Sequence, residues 1–290
     1  MTGLRRFLGL ILLLASASLP AEVLRLAGNP WPPYTDRSLP GEGLSVELIR
    51  TALGRGGYQV EYIEVPWERA LLGLRKGSYD MVNGWPTVKR VDYSLSSRPF
   101  LINRMRWVQR SGSGIRYDGL DSLIGYLLVL SRGYTYSDEL DDDTRLQKGY
   151  AANFVQAATM VLAGRADLTL EDERTALFHF ERELGHERDA LAFVPGEFRR
   201  VELSLLVRRD HPRATDIIAT FNREIAAMVA DGSYAAIFAR HALPVPDEMD
   251  DAHRLVQTQL GLICRQLAPL RSMAVHLLKQ QPAGQGQDQR

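Results

Sequence analysis

Cysteine is nearly absent from this sequence. Cys264 is the single one among 290 residues, so no internal disulfide can form and the chain must hold its shape by packing. Metal-binding spacing is lacking too: the six histidines form no HExxH or clustered pattern and there is no CxxC, which leaves no metal or cofactor to expect. Neither sign of charge is in excess. Lys plus Arg and Asp plus Glu stand at 35 each, so no long-range field would gather nucleic acid or an anionic membrane. What the chain does have is length and apolar content. A hydrophobic fraction of 45% over 290 residues rules out disorder and is enough for more than one core, so two lobes are expected.

Arg5 and Arg6 precede an apolar run from Phe7 to Leu14, and small residues Ala15, Ser16 and Ala17 follow. This pattern reads as an export signal over residues 1–21, cleaved after Ala17 or after Ala21, and it predicts a periplasmic destination. A membrane anchor would need roughly 20 apolar residues, and Pro20 with Glu22 interrupts the run well before that. No cysteine stands there to carry a lipid.

From Val23 onward short apolar runs alternate with helix-period stretches, the pattern of an α/β fold with mostly parallel sheets. Val23 to Ala27 and Val60 to Val65 read as strands. Leu44 to Arg55 carries apolar residues at the spacing of a helix laid on a sheet, and Gly56 with Gly57 ends it. Trp67 to Lys76 reads as the next helix and Asp80 to Asn83 as the third strand. The flexible Ser111–Gly114 stretch marks the first crossing between lobes. The expected division is a first lobe at 22–109, a second at 110–202, a return to the first at 203–245, and a tail at 246–290 that is helical or partly disordered. Gly77-x-x-Asp80 and Gly164-x-x-Asp167 echo one another, each leading from a helix through glycine into a strand.

Three stretches together resemble the bacterial extracellular solute-binding proteins of family 3, the polar amino acid receptors of ABC uptake systems. They are Gly43 to Leu53; Gly77 through Asp80 to Arg90 and Ser97-Arg-Pro-Phe100; and Asn222 to His241 with its Asp231-Gly-Ser-Tyr234 turn. The resemblance covers about residues 23 to 243. It implies a two-lobed Venus-flytrap fold, type II-like, with two crossing strands at the hinge. It further implies a monomer that traps a small polar solute, an amino acid or close analogue, and hands it to an ABC-type permease without altering it.

An amino acid offers a carboxylate and an ammonium, so a selective site calls for a guanidinium and an acid on facing walls. By the resemblance, Arg90 is the carboxylate-binding arginine, and Asp172 the acid that receives the α-amino group, with Glu171 its rival and an N-cap role the alternative for Asp172. Gly133-Tyr134-Thr135 matches a Gly-x-Thr turn whose free amides and Thr135 hydroxyl would meet a carboxylate. Trp31 and Trp67 match aromatic positions that cover the ligand, with lobe packing the alternative for each. Trp85 stands where relatives carry small hydroxyl residues and is expected to narrow the pocket.

Two other functions remain open at this stage. One is an enzyme similar to periplasmic cyclohexadienyl dehydratases, with Glu171 or Glu173 as the cleft acid. The other is a ligand-sensing module for a signalling partner. No catalytic pair is recognisable, and an enzyme is not the expected reading.

Overall fold

The computed structural model describes residues 22–245, so the predicted signal segment at 1–21 and the tail at 246–290 lie outside the described residues. The chain divides into a compact unit ending at Pro244 and a segment Val245–Arg290, and all that follows concerns the first.

The chain enters through β1 (Val23–Gly28), α1 (Leu44–Arg55), β2 (Gln59–Glu64), α2 (Trp67–Lys76), β3 (Met81–Gly84) and the short β4 (Ser94–Ser96). In β1 the side chains of Leu24 and Leu26 are fully buried, and the strand pairs in parallel with β2 on one side and β3 on the other. Helix α1 buries Leu44, Leu48, Ala52 and their neighbours at helical spacing, which is the face the sequence pattern required.

A long strand, β5 (Leu101–Arg110), then opens the second lobe. It contains β6 (Leu127–Ser131), α3 (Asp138–Asp142), β7 (Gln147–Ala151), α4 (Phe154–Leu162), β8 (Leu168–Asp172), α5 (Glu173–Arg182) and β9 (Leu191–Phe193). The chain returns through β10 (Arg199–Arg208) to α6 (Ala214–Ala230) and α7 (Ser233–Arg240). The strand order is β2-β1-β3-β10-β5-β8-β6-β7, with β4 beside β10 and β9 beside β5. Each lobe therefore repeats one plan: a parallel trio, an antiparallel long strand, and a short strand outside it.

The crossing is made by β5 and β10 themselves. Residues Ser204 to Val207 pair with β3 in the first lobe, Arg199 to Leu203 pair with Leu101 to Met105 of β5, and Met105 to Gln109 go on to pair with β8 in the second. The Ser111–Gly114 turn sits at the far end of β5. Tyr234 on α7 donates its hydroxyl to the Phe100 carbonyl at 2.6 Å, fixing the returning helices beside the start of the first crossing strand.

The repeated Gly-x-x-Asp has one structural meaning in both lobes. Gly77 ends α2 in the left-handed conformation, at φ 77, and Asp80 then accepts the Arg25 amide at 2.9 Å while its own amide donates to the Arg25 carbonyl at 3.0 Å. Gly164, at φ 67, is followed by Asp167, which accepts the Leu127 amide at 2.7 Å and donates to the Leu127 carbonyl at 2.9 Å. Each aspartate clamps the start of its lobe's third strand to the start of the first. They differ in burial: Asp80 is 5% exposed and also ion-paired to Arg25 at 3.1 Å, whereas Asp167 is exposed.

Candidate ligand-binding cleft

The carboxyl ends of β1, β3, β6 and β8 converge, and this is where open α/β sheets place ligands. The segment after β1 supplies Asn29 and Trp31, the end of β3 supplies Asn83 and Trp85, the turn after β6 supplies Tyr134 and Thr135, and the end of β8 supplies Glu171.

A small cavity of about 40 Å³ is lined by Trp31, Trp67, Trp85, Arg90, Tyr134 and Thr135 among others. Its walls are largely aromatic. Trp85 meets Trp31 edge-on at 6.1 Å and Tyr134 at 6.3 Å, so an indole of the first lobe is set against a phenol of the second. The Trp85 N–H donates to Asn103 at 2.9 Å, which holds the ring against the crossing strand. Gly84 gives Trp67 its place, since a Cβ there would come within 3.0 Å of the indole. Across the cleft Gly133, at φ 80, lies under the Glu68 side chain, which a Cβ would meet at 2.9 Å.

Arg90 is 5% exposed. Its guanidinium stacks over the Trp67 ring, 5.4 Å from the centroid, and donates to the Trp85 carbonyl. Burial lowers its pKa below the ordinary arginine value, yet among the described residues no carboxylate lies within ion-pair distance of it. A buried guanidinium with aromatic and carbonyl neighbours has the chemistry to pair with an anionic group.

A second cavity, of about 450 Å³, shares Asn29, Trp31, Trp67 and Tyr134 with the first and reaches Glu171. Glu171 is 1% exposed. Its Oε1 accepts the Trp31 indole N–H at 3.1 Å and the Asp172 amide at 2.9 Å. Burial, with a smaller push from the neighbouring Asp172 charge, raises its pKa to about 8.

Asp172 lines neither cavity. It caps α5, with Oδ1 accepting the amides of Arg174 and Thr175 and the Tyr34 hydroxyl. Its Oδ2 accepts from the Asn103 side chain and the Arg104 amide. The carboxylate is fully buried, and its lone pairs are engaged by the protein, so the acid that reaches the cleft is Glu171. Glu173, the other acid considered for catalysis, is ion-paired to Arg106 at 2.6 Å and Arg104 at 3.1 Å and lines neither cavity.

The structure thus brings Trp31, Trp67, Trp85, Arg90, Tyr134 and Thr135 together, sets Glu171 beside them, and leaves Asp172 outside. The larger cavity also takes in Asp36 and one face of α5 with Thr175, His179 and, just past its end, Glu183, none of which the sequence reading named. The signal available was their spacing of four, which alone does not separate a cleft wall from a solvated face.

Residues 24–244 match the model of bacterial extracellular solute-binding proteins, family 3. The chain belongs to that family. The match spans both lobes, so the two-lobed α/β scaffold is that of a family 3 solute-binding protein. Among curated protein sequences none matches significantly.

Solved structures of the same fold include a histidine kinase sensor domain with similarity to periplasmic binding proteins, at TM-score 0.68 and 20% identity, over 76% of this chain and 96% of that one. A mutant of ArgBP from T. maritima superposes at TM-score 0.64 and 19% identity over 76% and 94%. The ancestral amino acid-binding protein AncCDT-1, a precursor of cyclohexadienyl dehydratase, does so at TM-score 0.61 and 18% identity over 75% and 94%. These are likenesses of fold.

Proposed function

We propose that this family 3 protein is an exported receptor that closes its lobes on an amino acid or close analogue and presents it to an ABC-type membrane permease. One observation carries the reading: the Arg90 guanidinium is buried, with no counter-ion among the described residues, in an aromatic-walled cleft at the carboxyl ends of the strands. The ligand carboxylate meets Arg90 with help from Thr135. Its ammonium meets Glu171, which gives up its proton as the cation arrives. Trp31, Trp67, Trp85 and Tyr134 exclude water around the pair. Arginine and amino acid binding among the solved relatives agree with this ligand class, and the basic-then-apolar segment from Arg5 to Leu14 supports export.

Cleft closure of this kind couples binding to shape, because the ligand's affinity for the shut form shifts the population toward it. A thermal-shift screen of amino acids tests the proposal. A ligand at a hundred times its dissociation constant adds about 2.7 kcal/mol, and Arg90→Ala is expected to erase that shift for carboxylate-bearing ligands. An unchanged shift in the variant would remove Arg90 from the site.

Glu171 favours a second reading. A carboxylic acid that holds its proton to about pH 8 inside an aromatic cleft has the state needed of a general acid. Incubating the purified protein with prephenate or arogenate decides between the two, since an enzyme yields aromatic product and a receptor returns the compound unaltered.

A further inference from the structure

Strands β5 and β10 carry the chain between the lobes, and one stretch of them belongs to neither. From Ser204 onward β10 pairs with β3 of the first lobe, and from Met105 onward β5 pairs with β8 of the second. Between those points, among the described residues, 101–104 and 200–203 have only each other as strand partners. A two-stranded ribbon twists and bends more easily than a wider sheet, which makes this stretch the place where one lobe can turn against the other. Asn103, paired with Val201, stands within it.

Asn103 is fully buried, and its amide is engaged at both ends by different lobes. Its Oδ1 accepts the Trp85 indole N–H at 2.9 Å, and its Nδ2 donates to Asp172 Oδ2 at 3.1 Å. Trp85 follows β3 in the first lobe and lines the cavity beside Arg90. Asp172 ends β8 in the second lobe and caps α5. These partners fix the orientation of the amide, because an indole N–H can only donate and a carboxylate can only accept. Asparagine serves both, whereas aspartate lacks the donor and leucine lacks both groups.

The contacts close on themselves. Asp172 Oδ1 accepts the hydroxyl of Tyr34, back in the first lobe, at 2.9 Å. The Tyr34 ring lies 4.5 Å from that of Trp31, which in turn meets Trp85 edge-on. Trp85, Asn103, Asp172, Tyr34 and Trp31, none more than 8% exposed, thus form a closed circuit at the base of the cleft, and Asn103 is its member on the ribbon. A bend of the ribbon that separates Trp85 from Asp172 breaks at least one of the two bonds, since a short amide cannot follow both.

We propose that Asn103 is a positioning residue for the hinge: its amide ties Trp85 of the first lobe to Asp172 of the second, so both bonds exist at one lobe angle and the aromatic wall is set in the step that brings the lobes there. The proposal goes beyond ligand capture at Arg90 and does not depend on which ligand is captured.

The test reads the lobe arrangement of the full chain with no ligand added. Spin labels on Leu72→Cys and Tyr150→Cys, exposed positions on α2 of the first lobe and β7 of the second, report the distance between lobes by pulsed dipolar spectroscopy in a Cys264→Ser background. The labelled parent is expected to populate the separation of this structure, and Asn103→Leu to lower that population by about half. Asn103→Asp, which sets a carboxylate against Asp172, is expected to lose at least as much. Adding Asp172→Asn to it restores a donor and an acceptor in the opposite sense and is expected to return most of the population. A residue that serves only the fold would lower the melting temperature of these variants and leave the distances where they were. If Asn103→Leu fails to fold by circular dichroism, Trp85→Phe, which removes the N–H at the other end of the amide, takes its place with the same expectation. Unchanged distances, absence of that separation in the labelled parent, or failure of Asp172→Asn to restore it overturns the proposal. Because no ligand is added, none of these outcomes bears on the amino acid reading.

Discussion

The indole N–H of Trp31 donates to the Glu171 carboxyl at 3.1 Å, joining the segment after β1 in one lobe to the end of β8 in the other. Its acceptor is an acid whose pKa lies at about 8, and this gives the contact a pH dependence. The native carboxyl keeps its proton while the unfolded one, with an ordinary value near 4.5, has released it. Rising pH through that window therefore removes stability from the folded protein, by on the order of 1 kcal/mol per unit from this group. Glu171→Gln keeps an oxygen for the indole and lacks the titration. In urea unfolding at pH 5 and pH 8, the variant is expected to match the wild type at the lower pH and exceed it by about 1–3 kcal/mol at the higher. A pH-independent difference would show that the carboxyl is ionised throughout.

Arg90 is expected to trade stability for binding. Its buried charge has no counter-ion among the described residues, so Arg90→Met replaces it with an apolar chain of similar reach, and the ligand-free protein should melt at the same temperature or a higher one. The same variant should show no shift with any carboxylate ligand. A large drop in ligand-free melting temperature would mean that Arg90 serves the fold and not the site.

Asp172 should behave in the opposite way. Asparagine can still cap α5, but its amide would face the Asn103 side-chain amide and the Arg104 N–H, both donors. Asp172→Asn is expected to cost about 2 kcal/mol or more while leaving ligand affinity of the folded protein within about threefold. A selective loss of affinity would return Asp172 to the cleft.

The two clamping aspartates provide an internal control on burial. Asp80→Ala removes an almost buried acceptor from the Arg25 amide and guanidinium, and should cost about 3 kcal/mol. Asp167→Ala removes the same amide contact from an exposed position, where water replaces it at about 1 kcal/mol. Equal losses in chemical denaturation would mean that burial does not set the difference.

The alternation of apolar runs and helix-period stretches was enough to predict the α/β fold, because β1, β3 and β8 are buried and α1, α4 and α6 lay one apolar face on the sheet. Strand β7 escaped that reading. Its Gln-Lys-Gly-Tyr-Ala residues are mostly uncovered at the sheet edge, and an edge strand needs little hydrophobic pattern. The motif anticipated that Arg90 would line the cavity, but the choice between Glu171 and Asp172 was not legible. They are consecutive in an extended strand, so their side chains leave on opposite faces, and only the register of β8 against β5 decides which one lines the cavity. The α5 face was illegible for a related reason, since a stripe of Thr, His and Glu reads as solvated surface until something is seen to roof it.

The placement of β10 between β3 and β5 also dictates a timetable for synthesis on the ribosome. When residues up to Phe193 have emerged, the second lobe already has every one of its strands, while β3 of the first still shows a bare edge. That edge waits for the 204–207 stretch, so the half of the molecule begun first is the half completed last, and its open strand needs shielding from neighbouring chains in the interval.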